Sequence, residues 1–195
     1  MPMKFRVSYI VAAALLTMPA IGQTQNTDSD RIEGYTSQAL ASALPDTIDG
    51  LVRRSLNTDT SNHIIDAEYI EPAKKRKALI SLYTLPVNTR SEIPHADRET
   101  EVDAVIASAE KEMLRQRIPP EKRILTSSNG STIRCLQTML NKQVLHTLCA
   151  TYVQGRIMEV QPVTFTDIAV LPAAVAAQDK QVLEISDKMH ALPAK

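Results

Sequence analysis

Cys135 and Cys149 constrain this chain more than any other two residues, because one short turn sets them opposite each other. Asn141-Lys142-Gln143 interrupts two apolar runs, and a reversal centred on Lys142 makes those runs antiparallel strands. The two thiols then share a face, with Met139 facing Leu145 nearer the turn and Thr138 facing His146 on the other face. Directly opposed Cβ atoms on such strands lie about 4.5–5.5 Å apart, near the separation a disulfide requires.

Whether the thiols join depends on compartment, and the N-terminus addresses that. Lys4 and Arg6 are the only charges before Asp28, and they precede an apolar run over residues 7–18. Pro19 breaks that run, and Ala20-Ile21-Gly22 offers small residues at the positions a signal peptidase reads. A run of about twelve residues is short against the roughly twenty a spanning helix needs. Residues 1–22 therefore read as a cleavable export signal with Gly22 at the cut, residues 23–34 as a flexible polar leader, and residues 35–195 as one domain. No cysteine lies near Gly22 to carry a lipoprotein acyl group. The expected product is periplasmic or secreted, of bacterial type, with no stable membrane anchor. In an oxidising compartment Cys135 and Cys149 should be joined, and closing a loop of about fifteen residues is worth roughly 3 kcal/mol by the loop-entropy argument.

Lys+Arg and Asp+Glu are equal at 22 each, so losing Lys4 and Arg6 leaves the mature chain slightly acidic. Nucleic-acid binding requires a basic footprint, which is missing. With no Trp and 2 Phe, the core must be filled by Leu, Ile, Val, Ala and Met.

Along the chain, residues 35–44 predict a short helix closed by Pro45. Residues 50–57 and 62–70 predict a hairpin, and residues 77–85 a central strand with apolar side chains on both faces. Val102, Val105, Ile106, Ala109 and Met113 form a helical stripe over residues 97–116, acidic at its start and stopped by Pro119-Pro120. Residues 121–165 predict a four-stranded meander. Asn129-Gly130 reads as a type I′ turn and Gln154-Gly155 as another tight turn. Val175, Val182, Ile185, Met189 and Leu192 predict a C-terminal amphipathic helix over residues 172–192. The fold class is α+β: a mainly antiparallel sheet of about seven strands with a central and a C-terminal helix packed on it.

The LPDTIDGLVRRSLN opening at residues 44–57, AEY at 67–69, ALISLYTLP at 78–86, the central helix, the meander and the closing helix together resemble small exported bacterial proteins of PsbP-like layout. That resemblance implies a helix–sheet–helix sandwich with binding or accessory roles, and it carries no catalytic residues.

Redox-active dithiols usually sit close together at a helix start, unlike Cys135 and Cys149, so the structural disulfide is the favoured reading. His63, His95, His146 and His190 form no metal-ligand spacing, and no metal or other cofactor is expected. His95 with Asp97, Glu99 and Glu101 reads as the acidic first turn of a helix, and His146 as a strand residue. There is no G-x-S-x-G elbow, and scattered single glycines exclude phosphate loops. The basic run Lys74-Lys75-Arg76-Lys77 reads as a solvated turn that guards an apolar strand.

Leu136, Leu140, Val144, Leu148, Tyr152 and Ile157 share the meander face opposite the cysteines. Helices on both sides of the sheet would cover them; otherwise they form a candidate binding face. The leading expectation is a soluble, non-catalytic binding or accessory protein that takes a protein partner or a small apolar ligand. The alternatives are a small envelope enzyme using groups near His95, His146 and the acidic helix start, and an immunity or secretion-accessory interaction protein.

Overall fold

The computed structural model describes residues 30–85 and 98–193. The export signal, its Gly22 cut, most of the polar leader, His95 and Asp97 lie outside the described residues. In order, the elements are α1 (Ser37–Ala43), β1 (Thr47–Ile48), β2 (Leu51–Asp59), β3 (Ile64–Glu71), β4 (Arg76–Tyr83), α2 (Arg98–Arg115), β5 (Glu121–Thr126), β6 (Thr132–Leu140), β7 (Val144–Val153), β8 (Arg156–Phe165) and α3 (Leu171–His190). The fold is α+β, with a single 8-stranded antiparallel sheet in the order β1-β2-β3-β4-β8-β7-β6-β5. It is therefore two meanders joined along β4 and β8, with α2 as the link between them.

Local chemistry accounts for most boundaries. The Thr36 hydroxyl caps α1 by accepting from Ala39 N at 3.1 Å, and Leu44 turns extended ahead of Pro45. Gln154 and Gly155 have φ of 46° and 85°, the pair of left-handed residues a type I′ hairpin demands. Only glycine fits at 155, since an added Cβ would stand 2.6 Å from Ile32 Cγ2. Asn141 and Lys142 are left-handed as well, and Gln143 N donates to Leu140 O at 3.1 Å.

The Asn129-Gly130 turn differs from the expectation. Gly130 has φ of 86°, but Asn129 is not left-handed, and Gly130 N donates to Ser127 O at 3.0 Å. This is a type I turn over Ser128 and Asn129 followed by a left-handed glycine, the three-residue hairpin loop. The Asn129 side chain accounts for the change: its oxygen accepts from Ser131 N at 3.0 Å, closing the loop from within.

The sheet face that carries the cysteines holds the main core. Ile65, Tyr69, Ile80, Leu82, Ile133, Cys135, Cys149 and Val160 pack there with Leu40 and Leu44 at α1 and Val182, Ile185 and Met189 of α3. Each fully buried aliphatic side chain contributes about 1.5–3 kcal/mol relative to exposure. The opposite face is covered by α2 over β6 and β7. There Val102 is buried with Ala150 and Ile157, flanked by Val105, Ile106, Tyr83, Leu85 and Tyr152.

Two strand expectations change. β4 buries Ala78, Ile80 and Leu82 on the core face but leaves Leu79, Ser81 and Tyr83 half-buried. It is central in the sheet without being fully covered on both sides, because α2 crosses the other meander. The basic run is also divided. Lys75 is left-handed, with φ of 51°, after a 3-10 turn at Pro72–Lys74. Arg76 turns inward and bonds Asp49 Oδ2 at 2.9 Å and, through Nε, Glu71 at 2.8 Å.

Candidate functional site

Cys135 and Cys149 are direct register partners, as are Met139 with Leu145 and Thr138 with His146. The cysteine sulfurs stand 2.10 Å apart. Both residues are buried, with 2% and 1% exposure, so the bond lies inside the main core, away from any surface where it could exchange with a substrate thiol.

The three described histidines occupy separate places. His63 Nδ1 lies 2.8 Å from Asp30 Oδ1. Asp30 also accepts from the Ser37 amide and hydroxyl at 2.7 Å each, and the fully buried Arg156 lies 3.5 Å from it. Burial alone would raise the Asp30 carboxyl, but Ser37, His63 and Arg156 together hold it below its ordinary value. This cluster pins the chain from Asp30 onward to the sheet, so docking begins before residue 35, where the polar leader was expected to end. His190 sits at the end of α3 with Nδ1 2.8 Å from Ser186 O and Nε2 3.2 Å from Tyr152 O. His146 faces the α2 side of the sheet. Burial lowers its pKa, Gln161 opposes that by hydrogen bonding, and Lys77 adds to it.

Gln161 continues a polar row on that face, donating to Glu159 Oε2 at 3.1 Å, while the Tyr83 hydroxyl donates to the other Glu159 oxygen. Burial and then Glu159 push the Tyr83 phenol well above its ordinary value, so it stays a neutral donor. Among the described residues no group of three His, Cys, Asp or Glu is placed to hold a metal ion.

A polar hub escaped the sequence reading. Gln178 of α3 accepts from the Thr147 hydroxyl at 2.6 Å and donates to Leu145 O at 3.1 Å and to the Thr164 hydroxyl at 3.0 Å. Gln137 donates to the same Thr147 hydroxyl at 3.1 Å. Gln137 and Thr147 occupy alternate positions with Cys135 and Cys149, and that periodicity was the one signal available for placing them on the core face.

The six residues of the candidate binding face divide into two groups. Leu136 and Ile157 are fully buried and Leu148 is nearly so, while Tyr152 is half-buried with the Arg98 guanidinium 5.0 Å from its ring centre. Leu140 and Val144, at the turn end, stay half-exposed. They form a row with Phe165, because Leu140 pairs Val144 and Val144 pairs Phe165. Phe165 is 58% exposed, and Ile168 and Val170 just beyond it are 54% and 55% exposed. Beside this row opens a groove of about 480 Å³, lined in part by Ile118, Pro119, Thr138, Met139, Leu140 and Leu171. Its volume lies within the roughly 300–1,000 Å³ usual for small-molecule sites. The groove has a mixed lining, in which Arg117, Glu121, Gln137 and Asn141 join the apolar side chains, and nothing among the described residues covers Phe165, Ile168 or Val170.

No protein family, curated protein or solved structure matches this chain. The PsbP-like resemblance rests on the order and texture of the elements, with no diagnostic motif.

Proposed function

We propose that this is a non-catalytic binding or accessory protein of the periplasm or secreted space, which docks an apolar segment of a protein partner at the turn end of the second meander. The observation that carries the reading is the row Leu140–Val144–Phe165, extended by Ile168 and Val170 and bordered by the groove at Leu171. Exposed apolar side chains gathered in this way mark interaction surfaces more often than single ones do. The groove supplies depth for one anchoring side chain, and the half-buried row supplies a rim that sheds water.

The compartment is supported by the buried cysteine bond and by the N-terminal signal pattern. Among the described residues no helix is long and apolar enough to cross a membrane. The separate placement of His63, His146 and His190 weighs toward binding over catalysis.

A photo-crosslinking residue placed in turn at Phe165, Ile168 and the exposed control Arg54 tests the surface in cells that express the protein. The reading expects one defined adduct at the first two positions and none at Arg54. Equal, diffuse labelling at all three would overturn it. The mass of the chain recovered from the envelope tests the compartment: cleavage after Gly22 and a mass two hydrogens below the reduced form are expected.

A further inference from the structure

We infer that β5 is a self-association edge, pairing antiparallel with β5 of a second copy of this chain across Ile124. Among the described residues β5 ends the sheet and pairs with β6 alone. Its register runs without a bulge from Glu121 opposite Gln137 to Thr126 opposite Thr132. The other end of the sheet is blunted: β1 has 2 residues, and β2 carries a bulge between Arg53 and Ser55.

Cations on an edge strand normally deter pairing. Here both are engaged within their own chain. Lys122 bonds Glu110 of α2 at 2.8 Å on one face, and Arg123 holds Asp179 of α3 at 2.9 and 2.5 Å on the other. With those side chains drawn toward their own chain's carboxylates, the rim presents Ile124, 71% exposed and the most exposed large apolar side chain among the described residues. The helices leave that rim open, since α2 lies over β6 and β7, and α3 mainly over β7 and β8.

Backbone direction fixes which groups are available. Ser127 N donates to Ser131 O at 3.0 Å, so Ser127 and Ser131 form a hydrogen-bonded pair. Alternation along an antiparallel ladder then turns the amides of Glu121, Arg123 and Leu125 toward β6, and those of Lys122, Ile124 and Thr126 outward. Centring a two-fold axis on Ile124 pairs Ile124 with its copy, and Lys122 with Thr126 of the second copy. All three outward residues then meet outward residues, and no like charges oppose each other. A centre at Lys122 would set lysine against lysine and bring Pro120, which has no amide hydrogen, opposite Ile124. A centre at Arg123 would set arginine against arginine. Charge and donor pattern therefore favour the Ile124 centre over those two, and it alone of the three brings every outward residue of β5 opposite another. The contact is narrow compared with interfaces of about 1,200–2,000 Å², so the dimer belongs with weak, concentration-dependent associations.

Sedimentation velocity on the chain as recovered from cells, from micromolar to millimolar concentration, tests this. A monomer–dimer equilibrium is expected. Ile124→Pro removes the outward amide hydrogen on each copy while leaving the β6 ladder intact. It should weaken the dimer roughly thirty-fold, from two lost hydrogen bonds of ordinary net strength. Ile124→Lys, which sets two ammonium groups face to face, gives a second reading that does not depend on how the strand accepts proline. Register is tested by cysteine pairs: Ile124→Cys should link to itself, and Lys122→Cys should link to Thr126→Cys but not to itself. A monomer at every concentration, a dimer unaffected by both Ile124 variants, or self-linking at Lys122→Cys would each overturn the proposal. So would an added extended peptide that binds β5 without competing with dimer formation.

Discussion

The two faces of the sheet are built from the same alternating strands, yet they are closed by different means. On the cysteine face α1 and α3 seal a continuous apolar core, fastened by the Cys135–Cys149 bond and the Gln178 hub. On the other face α2 buries only Val102 and Glu101 of its own residues. There, ion pairs take a larger share: Arg134 to Glu99 at 3.1 Å and to Asp103, and Lys122 to Glu110 at 2.8 Å. Apolar contact supplies most of the fastening on the first face, whereas on the second a narrow apolar strip is held in place by charges at its margins. Exposed ion pairs are worth only about 0–1 kcal/mol each, so the second helix should be the more easily loosened.

The contrast can be broken in several ways, beginning with the largest effect. Ile185→Ala, fully buried between α3 and the sheet, should destabilise by about 2–5 kcal/mol in urea unfolding. Val102→Ala under α2 removes less buried apolar volume and should cost about 1–2 kcal/mol. If Val102→Ala costs as much as Ile185→Ala, the two faces are fastened alike. Replacing Cys135 and Cys149 together by alanine should lower stability by roughly 3 kcal/mol, with the same loss when reductant is added to the native chain.

Gln181 sharpens the comparison in the opposite direction. Its amide nitrogen and oxygen are buried without a hydrogen-bond partner among the described residues. Gln181→Met should therefore stabilise by about 1–3 kcal/mol. A loss of stability instead would mean that a buried water serves that amide.

Acid should act on both faces in sequence. His146 has a lowered pKa when folded, so below the ordinary histidine value of 6.5 the unfolded chain binds more protons and stability falls with pH. Asp30 is also lowered, and the stability it contributes is present above its unfolded value of 3.8 and lost as pH falls through its folded value. In His146→Gln the first of these declines should vanish from a stability–pH profile while the second persists. Smallest of all, Phe165→Ser should change stability by no more than about 0.5 kcal/mol while removing partner adducts at the turn end.

The meander was legible down to the opposed cysteines because strand pleat has a period of 2 and tight turns have strong residue preferences. The α2 stripe was legible for the same kind of reason, although Ala109 and Met113 end half-buried. Of the candidate binding face, Leu140 and Val144 stayed partly open while Leu136, Leu148 and Ile157 did not. Periodicity assigns a residue to a face, but it does not say how far along that face a helix reaches. Phe165 was missed because it is the final residue of the last strand, and Ile168 and Val170 because they follow it, where alternation no longer applies.

What the sequence by itself determined was local: where strands alternate, where the chain reverses, which residues face each other across one turn, and where the central helix lies. Tertiary structure decided the rest. It joined β4 to β8, so that the Tyr83 hydroxyl meets Glu159. It buried Arg156 beside Asp30 and set Gln178 over Thr147. Such pairs form between residues far apart in the chain, and their strength comes from losing water together. That loss depends on which surfaces come to cover one another, which no local pattern contains.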